Sequence, residues 1–295
     1  MRAEEEHRSD WLSTSASAAG GESSRGRGGR ARSPWGDLVM AGVPAPADVD
    51  FVMPVFNEGP NIGRALAELY THVPLPKRVL VVYDFDEDNT LPVVRELAPQ
   101  YPGVELVKNT IGRGVLNAIR AGIAATTAEV VIVTMADLSD DVAIVPRMVE
   151  LIRNEGYDIV CASRYMKGGR QIGGPFLKGL LSRTAGISLY WLAGLPTHDA
   201  TNAFRAYRRS VLLETTIESR GGFEYSLEIT AKAFARGRRI TEIPSTWRDR
   251  TAGQSRFKLR QWLPHYLRWY FYTLTHRPPR LGRAEGATQP NPTRS

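Results

Sequence analysis

Val131-Ile132-Val133-Thr134-Met135-Ala136-Asp137-Leu138-Ser139-Asp140-Asp141 joins an uninterrupted apolar run to a cluster of carboxylates. An apolar run without polar alternation reads as a strand covered on both faces, and in an α/β protein ligands sit at the C-terminal ends of such strands. Carboxylates gathered there suit a hard divalent cation that holds phosphate oxygens. Asp137 is the candidate ligand. Asp140 and Asp141 have a blander use open to them, as caps of the helix that follows.

The same alternation extends to both sides. Strands are expected over Asp50 to Val55, Arg78 to Tyr83, Val104 to Val107, Val130 to Met135 and Asp158 to Ser163. Helical periodicity fills the gaps, over Asn61 to His72, Leu91 to Ala98, Val115 to Ala125 and Ala143 to Asn154. Buried strands alternating with amphipathic helices predict an α/β protein, doubly wound, with a mostly parallel sheet and helices on both faces.

Residues 1–48 are rich in Gly, Ser, Ala and Arg, and they read as a disordered N-terminal extension. Met40, just before the ordered pattern, is a candidate start, which the N-terminal mass of native protein would test. Residues 277–295 read as a disordered tail. No secretory signal is visible, and no segment reads as a spanning helix.

Hydrophobic content of 42% and charged content of 23% are those of a globular domain. The single cysteine, Cys161, excludes an intrachain disulfide framework and suits a reducing, cytoplasmic setting. The net charge of +7 admits nucleic acid, anionic membrane or phosphorylated substrates as partners. Its distribution favours a membrane surface or lipid phosphate, with no nucleic acid. Arg164, Lys167, Arg170, Lys178 and Arg183 fall in a stretch without acids, and both this run and the one from Arg248 to Arg268 are interleaved with large apolar residues. A dinucleotide-binding turn would read G-x-G-x-x-G after the first strand. Here it reads Phe56-Asn57-Glu58-Gly59-Pro60-Asn61, which argues against a nicotinamide-dependent oxidoreductase.

The strand-end motifs, taken in order, resemble the family 2 glycosyltransferases, and among them the polyprenyl- or dolichyl-phosphate mannose synthases. Pro54-Val55-Phe56-Asn57-Glu58 matches that family's P-x-Y-N-E, and Val81 to Thr90 aligns with V-V-D-D-G-S-x-D-G-T. Met135-Ala136-Asp137-Leu138-Ser139 aligns with D-A-D-L-S. Further matches are Ser163 to Gly169, His198 to Tyr207, Gly222-Phe223-Glu224-Tyr225 with Glu228, and Arg250 to Leu259. Two departures stand out: Tyr83 and Met135 each replace an acid. A thioether is a poor donor for Mg²⁺ or Mn²⁺, so weakened metal binding is expected.

The resemblance implies a GT-A-like fold over residues 49–260 and an inverting transfer of hexose from a nucleoside diphosphate sugar to a polyprenyl phosphate. It implies a metal held by Asp137 and Ser139, and nucleotide-sugar contacts from Pro54, Asn57, Glu58, Asp84, Asp88, Gly112, Ala136 and Asp137. Asn57 also suits a turn, and Asp84 and Asp88 suit helix caps. Arg164, Lys167, Arg250, Ser255, Arg256 and Lys258 are the candidate acceptor and phosphate contacts; a solvated basic face is the alternative for the last four. Asp199 and Arg205 are the candidate catalytic pair, with a structural ion pair between them as the alternative.

Phe176 to Leu195 and the aromatic-basic segment 261–276 mix large apolar and basic residues at helical spacing, as does a helix lying in a membrane interface. Burial in the core or a dimer contact would use the same pattern. The expectation is peripheral attachment to the cytoplasmic membrane face, directly or through a separate anchoring protein.

Overall fold

The computed structural model of the protein describes residues 47–249 and 259–278, with 259–262 described by their backbone. The first half alternates as expected: β1 (Val49–Pro54), α1 (Gly59–His72), β2 (Lys77–Tyr83), α2 (Thr90–Leu97), β3 (Val104–Lys108), α3 (Val115–Ala125), β4 (Val130–Val133), α4 (Val145–Arg153) and β5 (Ile159–Ser163). β4 stops at Val133 rather than Met135, because Thr134 onward turns into the carboxylate loop. A 3-10 turn over Val142–Ile144 precedes α4, so the α-helix begins later than the periodicity suggests.

The second half holds β6 (Arg170–Ile172), α5 (Phe176–Ala193), β7 (Arg205–Arg208), α6 (Arg209–Glu214), α7 (Tyr225–Ala235), β8 (Ile240–Pro244), β9 (Thr246–Arg248) and α8 (Leu259–Thr275). Seven strands form one sheet in the order β3-β2-β1-β4-β7-β5-β8. β7 alone in that sheet runs antiparallel, inserted between β4 and β5. Its first residue, Arg205, pairs with Val133 on one side and Cys161 on the other. β6 and β9 form a separate parallel ribbon.

Successive residues of a strand point to opposite faces, and β1 supplies both cores. Val52 joins Leu80, Val82, Leu116, Ile119, Leu227, Ile229 and Trp269 on one face. Phe51 and Met53 join Ile62, Leu66, Leu69, Met148 and Ile152 on the other. α3 lies almost against the sheet, because a Cβ at Gly122 would stand 2.4 Å from Val52 Cγ1.

α8 settles part of the question raised by its composition. Trp269 is buried, its Nε1 donating to Ser219 Oγ at 2.9 Å, and Tyr270 hydroxyl and Ser188 Oγ of α5 lie 2.9 Å apart. Leu263, Leu267 and Phe271 form an exposed stripe at i, i+4, i+8. The aromatic-basic segment therefore divides, with one side in the core and the other open. On α5, Leu189 and Ala193 are buried, whereas Phe176 is 83% and Trp191 75% exposed. Among the described residues no helix is long and apolar enough to cross a membrane.

Candidate functional site

The strand order reverses between β1 and β4, and at such a switch point the flanking loops part to leave a crevice beyond the strand C-termini. Asn57 takes a left-handed conformation (φ 57°) in the turn after β1. Its N–H donates to Asp88 Oδ2 at 3.0 Å, and Thr90 N–H donates to Asp88 Oδ1 at 2.8 Å. Glu58 N–H donates to Thr90 Oγ1, and Gly59 N–H to Asn89 Oδ1, both at 2.9 Å. Asp88 thus ties the first turn to the second with both oxygens engaged, while Glu58 and the exposed Asn57 stand at the crevice rim. Pro54 is buried at the end of β1, behind that rim.

Asp84 performs the matching task one strand further out. Its Oδ1 accepts from Asn109 Nδ2 at 2.7 Å and its Oδ2 from Gly114 N–H at 2.8 Å. The Gly112-Arg113-Gly114 turn is held in place this way, with φ of 145° and 118° at its two glycines. Beside it opens a cavity of about 280 Å³ lined by Arg113, Asn117, Arg120 and Arg220. A cavity of about 400 Å³ around Tyr157, Pro196 and Arg239 includes Ile240 at the start of β8, the opposite strand end, and is not part of the crevice.

At the end of β4, Ala136 is buried and Asp137 is 9% exposed. Asp137 Oδ1 accepts from Ser139 N–H at 3.1 Å, and the intervening Leu138 is held at φ 61°, a costly conformation for a branched side chain. Burial and the Asp137 charge push the Asp140 carboxyl up to about 7, against weaker lowering by Arg164, the Met135 N–H and the Thr134 hydroxyl. Among the described residues no three His, Cys, Asp or Glu side chains gather as a metal cage. Two neighbouring carboxyls that repel each other nevertheless suit Mg²⁺ or Mn²⁺, which take one or two protein carboxylates and fill the remaining positions with substrate phosphates and water. Asp140, absent from the sequence-derived metal set, belongs in it beside Asp137 and Ser139.

The third wall centres on Asp199, which is fully buried. Arg164 grips it in a fork, Nε to Oδ2 at 2.7 Å and Nη2 to Oδ1 at 2.9 Å, and Arg164 N–H adds a bond at 3.0 Å. Burial acts to raise the Asp199 pKa, but the Arg164 charge and its hydrogen bonds outweigh it and hold the carboxyl below the ordinary range. The Asp199–Arg205 ion pair expected from sequence is not what forms. Arg205 Nη2 instead donates to the backbone carbonyls of Asp199 (3.1 Å) and Ala200 (2.7 Å), and Nη1 to that of Ser226 on α7 (2.9 Å). Arg205 is completely buried and braces the wall from behind.

Arg164 Nη2 also donates to Ser182 Oγ at 3.0 Å and Thr201 Oγ1 at 3.2 Å, and Tyr165 hydroxyl lies 3.0 Å from Ser182 Oγ. Ser182 and Thr201 were not anticipated; neither sits in a pattern that marks it, and only the packing of α5 brings Ser182 here. Lys167 is exposed in the loop after β5. Arg250, Ser255, Arg256 and Lys258 lie outside the described residues, as does nearly all of the sequence assigned to the N-terminal extension and the tail. Arg248 N–H donates to Ser139 O at 3.0 Å, so the chain enters the 250–258 stretch from beside the Asp137 turn.

The family model for glycosyl transferase family 2 matches residues 50–215. A dolichol-phosphate mannosyltransferase from Pyrococcus furiosus is 30% identical over 219 residues, 71% of this chain and 59% of that protein. The chain thus spans less than two thirds of that relative's length. A polyprenol monophosphomannose synthase from Mycolicibacterium smegmatis is 29% identical over 227 residues, covering 72% of this chain and 85% of the relative.

Among solved structures, glucosyl-3-phosphoglycerate synthase from Mycobacterium tuberculosis in complex with Mn²⁺, UDP and glucosyl-3-phosphoglycerate aligns with a TM-score of 0.57 at 17% identity, over 79% of this chain and 82% of that one. A mannosyltransferase from Pyrobaculum calidifontis in complex with GDP-Man and Mn²⁺ aligns with a TM-score of 0.57 at 18% identity, over 80% and 66%. These structures share the fold, including a mostly parallel sheet. The sequence match runs from β1 through α6 and contains every strand end that frames the crevice except that of β8: the chain belongs to glycosyl transferase family 2.

Proposed function

We propose that the protein transfers a hexose from a nucleoside diphosphate sugar to a polyprenyl phosphate at the cytoplasmic membrane face, inverting the anomeric centre. The observation that carries the acceptor assignment is the state of Asp199. A hydroxyl acceptor needs a base to take its proton, and Asp199 is kept ionised by Arg164 with its oxygens occupied. A phosphate acceptor is already anionic and needs no such base. Arg164, Ser182, Thr201 and Tyr165 supply donors for an anion at this wall, with Asp199 fixing the guanidinium plane. The relatives named as polyprenyl- and dolichol-phosphate mannosyltransferases support the same acceptor class.

Asp137, Ser139 and Asp140 would hold Mg²⁺ or Mn²⁺, which when bound neutralises charge developing on the departing diphosphate. Asn57, Glu58 and Asp84 frame the nucleotide, and Arg250, Ser255, Arg256 and Lys258 are proposed as further phosphate contacts. The exposed apolar stripe of α8 and the Phe176, Leu177, Leu180 and Trp191 surface of α5 suit seating on a bilayer, where a polyprenyl chain resides. A separate anchoring protein would use the same surface.

The test is transfer of radiolabel from a panel of nucleotide sugars into chloroform-extractable lipid, with undecaprenyl phosphate and Mg²⁺ or Mn²⁺. Label in the lipid phase that disappears with Asp137→Ala is the expected result. Donor hydrolysis with no labelled lipid would refute the lipid acceptor.

A further inference from the structure

Phe56, Phe85 and Arg113 come from the turns after three adjacent parallel strands, β1, β2 and β3. The two rings pack edge to face with centroids 5.5 Å apart at 65°, and the Arg113 guanidinium lies 5.6 Å from the Phe85 centroid. We propose that these three side chains form a stacking clamp for the nucleobase of the donor, which reads the base by its π-face and accepts purines and pyrimidines alike. The proposal rests on the nucleotide-sugar reading above and concerns how that nucleotide is selected.

Three observations converge. First, Phe56 is 46% exposed and Ile111, on the turn carrying Arg113, is 55% exposed, so apolar surface gathers where the core does not use it. Second, the resemblance places glycine at the Phe85 position and an acid at the Tyr83 position. This chain has gained a ring at that strand end and lost a carboxylate able to read base edges. Third, the spacing is close to what a base needs. A base stacks at about 3.5 Å from each plane, so one seated between Phe85 and Arg113 requires about 7 Å, and the exposed Arg113 must withdraw by only about 1.4 Å. Asp84 anchors the glycine turn through Gly114, so this movement belongs to the side chain and not the loop. Every base has a π-face, and a site that binds mainly by stacking is tolerant of base identity.

The measurement is calorimetric binding of GDP, UDP and ADP in the presence of Mn²⁺, with pyrophosphate as the ligand lacking a base, to the wild type, Phe85→Gly, Phe85→Leu and Phe85→Trp. Expected are wild-type affinities within about tenfold of one another and a loss of about 5- to 150-fold for each nucleotide in Phe85→Gly and Phe85→Leu. Pyrophosphate affinity should not change, and Phe85→Trp should keep nucleotide binding. Nucleotide affinities within twofold of wild type in the Gly and Leu variants would overturn the clamp, as would an equal loss of pyrophosphate. A wild type that prefers one nucleotide by more than about a hundredfold would show that base edges are read instead. A wild type that binds pyrophosphate but no nucleotide would bring down the clamp and the donor assignment together, whereas failure of lipid labelling with nucleotide binding intact would touch only the acceptor.

Discussion

Asp199→Asn keeps the size of the side chain and removes its charge. In the wild type the carboxylate is fully buried and accepts from Arg164 Nε, Nη2 and backbone N–H, and from Asn202 N–H at 3.1 Å. Arg164 is itself only 10% exposed, so the substitution leaves a guanidinium facing an amide with water largely excluded. Removing one partner of a buried ion pair costs about 3–5 kcal/mol. For a domain of this size each kcal/mol lowers the melting temperature by about 2–4 °C, giving an expected fall of about 6–20 °C. The low end is favoured, because the Asn oxygen still accepts one of these bonds.

The pH dependence follows from the depressed Asp199 pKa. A carboxyl held lower in the folded than in the unfolded chain contributes stability that is present above the unfolded value, about 3.9, and is lost as pH falls through the folded value. The gap between wild type and variant should therefore be constant from neutral pH to about pH 5 and close only in strong acid. Calorimetric melts of the two proteins across this range make the test. Replacing both partners by apolar residues, Arg164→Met with Asp199→Leu, should recover much of the lost stability. A melting shift under about 2 °C, together with lost lipid labelling, would refute the structural assignment and return Asp199 to the role of base.

Met135→Asp adds a hard oxygen donor beside Asp137 and should lower the Mg²⁺ or Mn²⁺ concentration needed for half-maximal labelling; an unchanged metal titration would mean that Met135 lies outside the metal's reach. Gly186→Ala places a Cβ 2.1 Å from His198 O, where α5 crosses the loop leading to Asp199, and should destabilise by about 1–3 kcal/mol, read as a lower denaturation midpoint at unchanged slope. Phe176→Glu with Trp191→Glu removes two rings that are 83% and 75% exposed, and vesicle flotation should fall by about tenfold or more while melting temperature holds; equal flotation would remove α5 from the membrane surface. Asp50→Asn loses acceptors for Arg78 and for the Thr127 and Ala128 N–H groups at a site with no solvent access, and should cost about 3 kcal/mol at neutral pH.

The order of β1 to β5 and the places where their loops carry chemistry were legible in the chain alone. A buried strand declares itself by a continuous apolar run and a helix by its 3.6-residue period, and both signals are local. The carboxylate turn at Asp137 and the turns at Asn57 and Asp84 follow, because parallel strands with crossover helices bring their C-terminal ends to one edge. Periodicity says which face is covered and not by what, so the rest had to wait for packing. Arg164 rather than Arg205 became the partner of Asp199 because β7 enters antiparallel between β4 and β5, which buries Arg205 behind the wall against α7. Ser182 reaches the same wall only through the seating of α5, and α8 turns Trp269 inward and Phe271 outward although both read alike in sequence. Phe56, Phe85 and Arg113 meet because strand register, a property of the whole sheet, aligns the ends of β1, β2 and β3.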